Sequence, residues 1–145
     1  MMRLTSRPAI RPARPAEAEI VRVDPPDGAV NRRFYETVGA GYSWTLHRGR
    51  DDAWWQAHAV EVETWVIPDA GYYELHPVGA DVEIAYFGLL PAFHGRGLGG
   101  ALLEHALRRG FELGSRVWVH TCTLDGPHAL ANYQARGLEP YKVER

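Results

Sequence analysis

Cysteine and lysine each occur once in this chain, net charge is close to zero, and no long apolar run is present. Each scarcity excludes something. A lone Cys122 forbids an internal disulfide and fits a reducing, cytoplasmic location. Fifteen arginines and one lysine stand against eighteen acids, a net charge of −2, so no overall basic surface asks for nucleic acid. No segment approaches the ~20 consecutive apolar residues of a membrane-spanning helix, and no membrane partner is expected. The seven histidines show no zinc-ligand spacing. His120 and Cys122 form a pair of ligand types without a second pair, so no metal site is expected.

What remains is ordinary globular material. The 145 residues are 46% hydrophobic and 23% charged, enough for one domain with a proper core. Charge is uneven at one end only. Residues 1–16 hold Arg3, Arg7, Arg11 and Arg14 with three prolines and no acid, the composition of a flexible tail or of one that wraps the domain. They lack the apolar centre of a secretory signal, and one Ser with three Pro fits a mitochondrial leader poorly. Residues 17–145 then form a single domain.

Hydrophobic periodicity outlines its elements. "EIVRV" (Glu19 to Val23) reads as a strand. From Asp27, Val30, Phe34 and Val38 recur at helical spacing, with Gly39 as the expected stop. "DDAWWQAH" opens a second helix capped by Asp51 or Asp52. "VEVETWVI" (Val60 to Ile67), "YYELH" (Tyr72 to His76) and "DVEIAYFGLL" (Asp81 to Leu90) follow as three strands joined by short turns, an antiparallel meander. The last is apolar on both faces apart from Glu83, which places it centrally in the sheet. A helix from Leu98 to about Leu113 carries Leu103, Leu107 and Phe111 on one stripe, and "RVWVHTCTL" (Arg116 to Leu124) is a further strand. Strand, helix and strand make a right-handed crossover with parallel strands. Asp125, Gly126 and Pro127 open a last helix to Arg136, Gly137 caps it, and "LEPYKV" closes the sheet. The fold class is α/β or α+β, a mixed sheet with helices on both faces.

The densest signal is "PAFHGRGLGGALL" (Pro91 to Leu103), with four glycines in six residues before a helix. Gly95, Gly97 and Gly100 satisfy G-x-G-x-x-G, yet the dinucleotide fold needs its strand to run straight into the first glycine. Here Pro91, Ala92, Phe93 and His94 intervene, and only 45 residues follow Gly100. A phosphate-binding P-loop is excluded too, since no Lys-Ser/Thr follows. The physics stands without either motif. A glycine-rich loop feeding a helix start aims free N–H groups and the positive helix end at one spot, which suits a pyrophosphate, and Arg96 adds charge. The alternative is that the glycines only let helix and strand pack closely.

This stretch resembles the acyl-CoA signature of the GNAT N-acetyltransferases, Gln/Arg-x-x-Gly-x-Gly/Ala after a strand and a short loop. His94 stands where the family usually has Gln or Arg, and Gly95, Arg96, Gly97, Leu98, Gly99 and Gly100 follow in register. "ALANYQARGLEP" (Ala129 to Pro140) is similar to the family's closing motif, with Ala129, Tyr133, Gly137 and Leu138 in place. Gly126 replaces the Asn common seven residues before that Tyr.

The resemblance implies a mostly antiparallel sheet with a splayed parallel strand pair and acetyl-CoA as acyl donor, its pantetheine arm lying between the splayed strands. Main-chain groups of Phe87, Gly88 and Leu89 would pair with that arm, and a bulge at Gly88 could aim an N–H at the thioester oxygen. Residues 94–100 would hold the pyrophosphate. Tyr133 matches the family's general acid, although a helical Tyr also reads as a core aromatic. For the base, Glu83 lies eleven residues before His94, as in the histone-acetylating branch, and an apolar strand should raise its pKa. A solvent-facing or Arg-paired Glu is the plain alternative. His120 shares a strand face with Trp118 and Cys122 and could serve instead, or be structural. Cys122 reads as core, and Trp44, Trp54, Trp55 and Tyr72 as core or as walls of the acceptor pocket.

The expected activity is acetyl transfer to a primary amine, on a small molecule or a protein, with a homodimer compatible. An idle acyl-CoA sensor is the alternative from another class, and loop geometry disfavours a nucleotide-binding oxidoreductase.

Overall fold

A computed structural model of the chain describes residues 2–4, 10–13, 19–42, 44, 46–119 and 126–140. Its strands are β1 (Met2–Leu4), β2 (Val21–Arg22), β3 (Glu63–Ile67), β4 (Gly71–Val78), β5 (Asp81–Leu89), β6 (Arg116–Val119) and β7 (Glu139–Pro140). They form one sheet in the order β2-β3-β4-β5-β6-β1-β7. Every neighbouring pair is antiparallel except β5 and β6. The helices are α1 (Gly28–Tyr42), α2 (Asp52–Glu61), α3 (Leu98–Leu113) and α4 (Gly126–Ala135). No described helix is long and apolar enough to cross a membrane.

The sheet has a core on each face. On one, α3 lays Leu102, Leu103, Ala106 and Leu107, all fully buried, against Leu75, Val82, Ile84 and Val117. Burying each such leucine contributes about 1.5–3 kcal/mol. On the other face, Phe34 and Val38 of α1 meet Tyr72 of β4, with Phe34 stacked on Tyr72 at 5.1 Å. Because α3 must carry the chain from the end of β5 back to the start of β6, that pair is parallel.

β5 occupies the central position expected from its two apolar faces. Its pairing with β4 slips once. Glu74 faces Tyr86 while Leu75 faces Ile84, so Ala85 is the extra residue of a bulge. Gly88, expected to bulge, pairs regularly with Tyr72. The slip changes which residues share a face. Val82, Ile84 and Leu89 join the α3 core, with Phe87 packed against it, while Tyr86 joins the α1 core.

Other boundaries depart from the sequence reading for physical reasons. α1 continues past Gly39 because that glycine is a packing site. A Cβ there would lie 2.7 Å from the Trp44 ring, so only hydrogen leaves room for the indole. α2, capped by the Asp51 carboxylate accepting from the Trp54 N–H at 2.8 Å, runs to Glu61, so β3 starts at Glu63 and not at Val60. Between β6 and β7 the sheet receives Met2–Leu4. Further along the same N-terminal stretch, Ile10 is buried and the Ala13 N–H donates to Glu104 at 2.7 Å.

Candidate active site

β5 ends in a short turn. Pro91–Phe93 makes one 3-10 turn, and the His94 Nε2–H donates to the Leu89 carbonyl at 3.0 Å, tying the loop to the strand it leaves. That bond uses one of the two lone pairs of the Leu89 carbonyl. Gly95 and Gly97 then adopt positive φ, 78° and 75°, a conformation that favours glycine. A Cβ on either would meet no atom within 4 Å. The conformation therefore demands glycine while the space beside it is open.

Gly97 is the N-cap of α3 and offers no side chain, and the Ala101 N–H donates to its carbonyl at 3.3 Å. The amides of Leu98, Gly99 and Gly100, ahead of that first helical bond, have no intrahelical acceptor. Two arginines flank them. The Arg96 guanidinium lies 5.2 Å over the Phe93 ring. Arg136 of the segment after α4 comes within 3.4 Å of where a Gly100 Cβ would be, and its Nε is buried with no partner among the described residues. Asn132 of α4 donates to the Gly99 carbonyl at 3.0 Å, docking α4 on this helix start. Open space, uncapped amides and an orphaned guanidinium nitrogen fit an anionic group such as the CoA pyrophosphate. Sequence reasoning missed Asn132 and Arg136, whose only local signal was their position beside Tyr133.

Tyr133 lies on the same side of the sheet, 3% exposed, its ring T-shaped against Phe87 at 6.2 Å. The Ala85 bulge makes this contact, since without it Phe87 would face α1. The parallel ladder pairs Asp81 with Arg116 through to Ile84 with Val119. His120, Cys122 and Asp125 lie outside the described residues.

On the opposite face is a 510 Å³ open cavity between α2, the α1–α2 connection and strands β4 and β5, its wall including Trp44, His47, His58, Glu61, Glu83 and Tyr86. Glu83 is a wall residue, with its Oε1 4.0 Å from Nδ1 of its cross-strand neighbour His76. Glu83 thus lines the cavity on the α1 and α2 side of β5, whereas Tyr133 packs on Phe87 on the α3 side. Of the aromatic group, Trp44 lines the cavity, Trp54 stacks on His58, and Trp55 and Tyr72 are buried.

The cavity also holds a pair that the sequence reading did not single out. The His58 Nε2–H donates to Glu74 Oε1 at 2.6 Å, and Glu74 is fully buried. Asn31 Nδ2 donates to the other carboxylate oxygen at 2.7 Å and to Thr64 Oγ1 at 2.8 Å. The His58 ring stacks on Trp54 at an interplanar angle of 6°. Burial disfavours its cation, but the hydrogen bond and charge of Glu74 outweigh this and raise its pKa. His47 is shifted the other way, by burial first and then by the charges of His58 and Arg50. The signal for Glu74 was available: a carboxylate in the apolar run "YYELH" is as anomalous as Glu83 in its own strand.

Comparison with known proteins identifies the family and the fold. The sequence profile of the acetyltransferase (GNAT) family matches residues 31–138. The chain belongs to the GNAT family. Among solved structures, this GNAT chain is similar to a GCN5-related N-acetyltransferase from Kribbella flavida, with TM-score 0.66 and 17% identity over 96% of this chain and 52% of that one. It therefore spans about half the length of that protein. An aminoglycoside acetyltransferase from an uncultured soil metagenomic sample gives TM-score 0.69 at 14% identity, over 88% of this chain and 90% of that one. A Bacillus subtilis acetyltransferase solved in complex with CoA gives TM-score 0.60 at 19% identity, over 83% and 76% of the two chains. No curated protein sequence is significantly similar to the chain.

The two faces of β5 thus carry groups of opposite character. The uncapped start of α3 offers N–H groups and arginine charge to an anion, and the facing cavity offers carboxylate and imidazole groups to a cation or a proton.

Proposed function

We propose that this domain moves an acetyl group from acetyl-CoA to a primary amine by direct transfer. The observation that carries the reading is the division of the site by β5, with an anion cradle at Gly95 to Gly100 on one side and a cavity walled by Glu61 and Glu83 on the other. Residues 94–100 hold the pyrophosphate through main-chain N–H groups, with Arg96 and Arg136 adding charge. Main-chain groups of Phe87, Gly88 and Leu89 accompany the pantetheine arm. An ammonium is drawn into the cavity by Glu83, one of the base candidates; His120 is the other read from the sequence. Once neutral, the amine nitrogen attacks the thioester carbon, the C–N bond forms as the C–S bond breaks, and the Tyr133 hydroxyl donates a proton to the departing sulfur. A concave site of 510 Å³ suits a small-molecule amine better than a folded protein surface.

A thermal-shift panel of acetyl-CoA, ATP and NADH, followed by a screen of amines reading free thiol, tests this. Stabilisation by acetyl-CoA alone with amine-dependent thiol release is expected. Tight acyl-CoA binding without turnover on any amine would instead make the domain an acyl-CoA sensor.

A further inference from the structure

The cavity on the α1 and α2 side of β5 has two groups able to take a proton from an incoming amine, Glu83 on its wall and His58 at the buried pair with Glu74. Carboxylate and imidazole differ in ordinary basicity. A side-chain ammonium has a pKa of about 10.4, so handing its proton to an ordinary carboxylate near 4.3 is uphill by about six powers of ten. An ordinary imidazole near 6.5 reduces that to about four. Glu74 narrows the gap again, since its carboxylate favours the imidazolium.

Geometry supports the same choice. Glu74 fixes the His58 tautomer, because Nε2 must carry the hydrogen that it donates at 2.6 Å. Nδ1 is then the basic nitrogen, and no bond to it is found among the described residues. Asn31 holds the second oxygen of Glu74, and Trp54 stacks on the imidazole, so neither partner is free to turn. A fully buried carboxylate is expensive to desolvate, and a chain that needed only to join α2 to β4 could do so with apolar side chains.

We infer that His58, oriented by Glu74, is the proton acceptor of the amine cavity. The inference rests on the amine-acetylating reading above. The ammonium gives one proton to Nδ1 of His58. The neutral amine attacks the acetyl carbon, forming the C–N bond as the C–S bond breaks. The nitrogen's second proton is lost to solvent, the Tyr133 phenolate left by protonation of the thiolate takes one back from solvent, and His58 releases the first. Glu74 touches no reacting atom and is a positioning residue, while Glu83 attracts the cation. The charged and titratable groups facing His58 are Glu74 and His76 of β4, Glu61 of its own helix, and Glu83 and Tyr86 of β5. Among the described residues His47 of the α1–α2 connection also faces it, with ring centroids 6.2 Å apart, and His47 itself lies beside Tyr35 of α1 and feels the charge of Arg50.

The test is the pH dependence of kcat/KM for the full chain, with putrescine or an Nα-blocked lysine as acceptor, so that the amine's own ionisation lies well above the acidic limb. Wild type should show a limb above the ordinary imidazole value. Glu74→Gln should move that limb to lower pH while leaving acetyl-CoA affinity unchanged. His58→Gln should abolish the limb and lower kcat by about 10²- to 10⁴-fold. A purely structural pair would lower the melting temperature in both variants and leave the limb in place, which overturns the inference. So would a limb that vanishes only in Glu83→Gln. If either variant fails to fold, the His58 ring titration followed by NMR in wild type decides, because its midpoint must coincide with the kinetic limb and a mismatch refutes the assignment. Acetyl-CoA binding without turnover on these amines or on any other in the screen overturns the amine reading and this inference with it. Turnover with an unmoved limb overturns His58 alone.

Discussion

Replacing Gly97 by alanine separates the two roles assigned to the loop. At φ 75° and ψ 2°, the residue sits in the left-handed region, which costs a non-glycine residue about 1–2 kcal/mol. No atom lies within 4 Å of the new methyl, so no clash adds to that cost in the free protein. For a chain of this length, about 2–4 °C accompanies each kcal/mol, and a fall of about 2–8 °C in melting temperature is expected. The backbone strain is common to the free and bound states and cancels from the dissociation constant. Any loss of affinity therefore reports that the methyl fills space the ligand needs. Titration calorimetry with CoA should show a loss of at least about tenfold, or ~1.4 kcal/mol. Gly99→Ala is the control. That residue has ordinary helical φ, and its Cβ would lie 3.6 Å from Asn132 Nδ2 and 3.7 Å from Leu89, normal contacts. Alanine there should preserve the melting temperature or raise it, by up to about 1 kcal/mol of helix propensity. A folded Gly97→Ala protein that binds CoA as wild type does would refute the anion-cradle reasoning.

Tyr133→Phe should lower kcat by about 10²-fold with little change in the KM for acetyl-CoA, since the buried ring keeps its contact with Phe87 and only a proton donor is lost. Unaltered kcat in steady-state assays would return Tyr133 to the core. Glu83→Gln should raise the KM for a cationic amine and weaken the salt dependence of kcat/KM, and equal kinetics across a range of ionic strength would count against an electrostatic role. Glu63 takes hydrogen bonds from Arg109 and from the Trp65 indole at 2.6 Å, and burial opposes but does not overcome their lowering of its pKa. Its folded pKa is depressed below 4.5, so its stabilisation is complete above that value and is lost as pH falls through the folded pKa. Glu63→Gln should cost about 1–3 kcal/mol at pH 7, read by denaturant melts, and the difference from wild type should shrink in acid.

How much of this was legible in the sequence depends on the range of the interaction involved. α3 and its flanking strands could be read because leucine spacing, the glycine loop and the crossover rule are local signals, and they agree with one another. Asp51 could be read as a cap because its partner is three residues away. Motif register put Gly97 to Gly100 at the start of α3 and Tyr133 on α4, where the structure has them. The bulge could not, since it depends on how β4 and β5 slip past each other, and the sequence pointed to Gly88 where the extra residue is Ala85. Gly39 reads as a helix stop until Trp44 is seen lying on it. Met2–Leu4 is too short to carry a strand signal and owes its place to the sheet edges waiting for it. His58 and Glu74 stand sixteen residues apart on a helix and a strand, and nothing local announces that they share a hydrogen bond.

The central claim is that a cofactor cradle and an amine cavity meet across β5 to transfer an acetyl group. It is tested most directly by incubating the protein with acetyl-CoA and a primary amine and measuring free thiol and acetylated amine in the same sample. The account predicts that both rise together, in equal amounts, and that neither rises when the amine is omitted. Thiol released at the same rate without the amine, or no acetylated product from any amine despite bound acetyl-CoA, would contradict it.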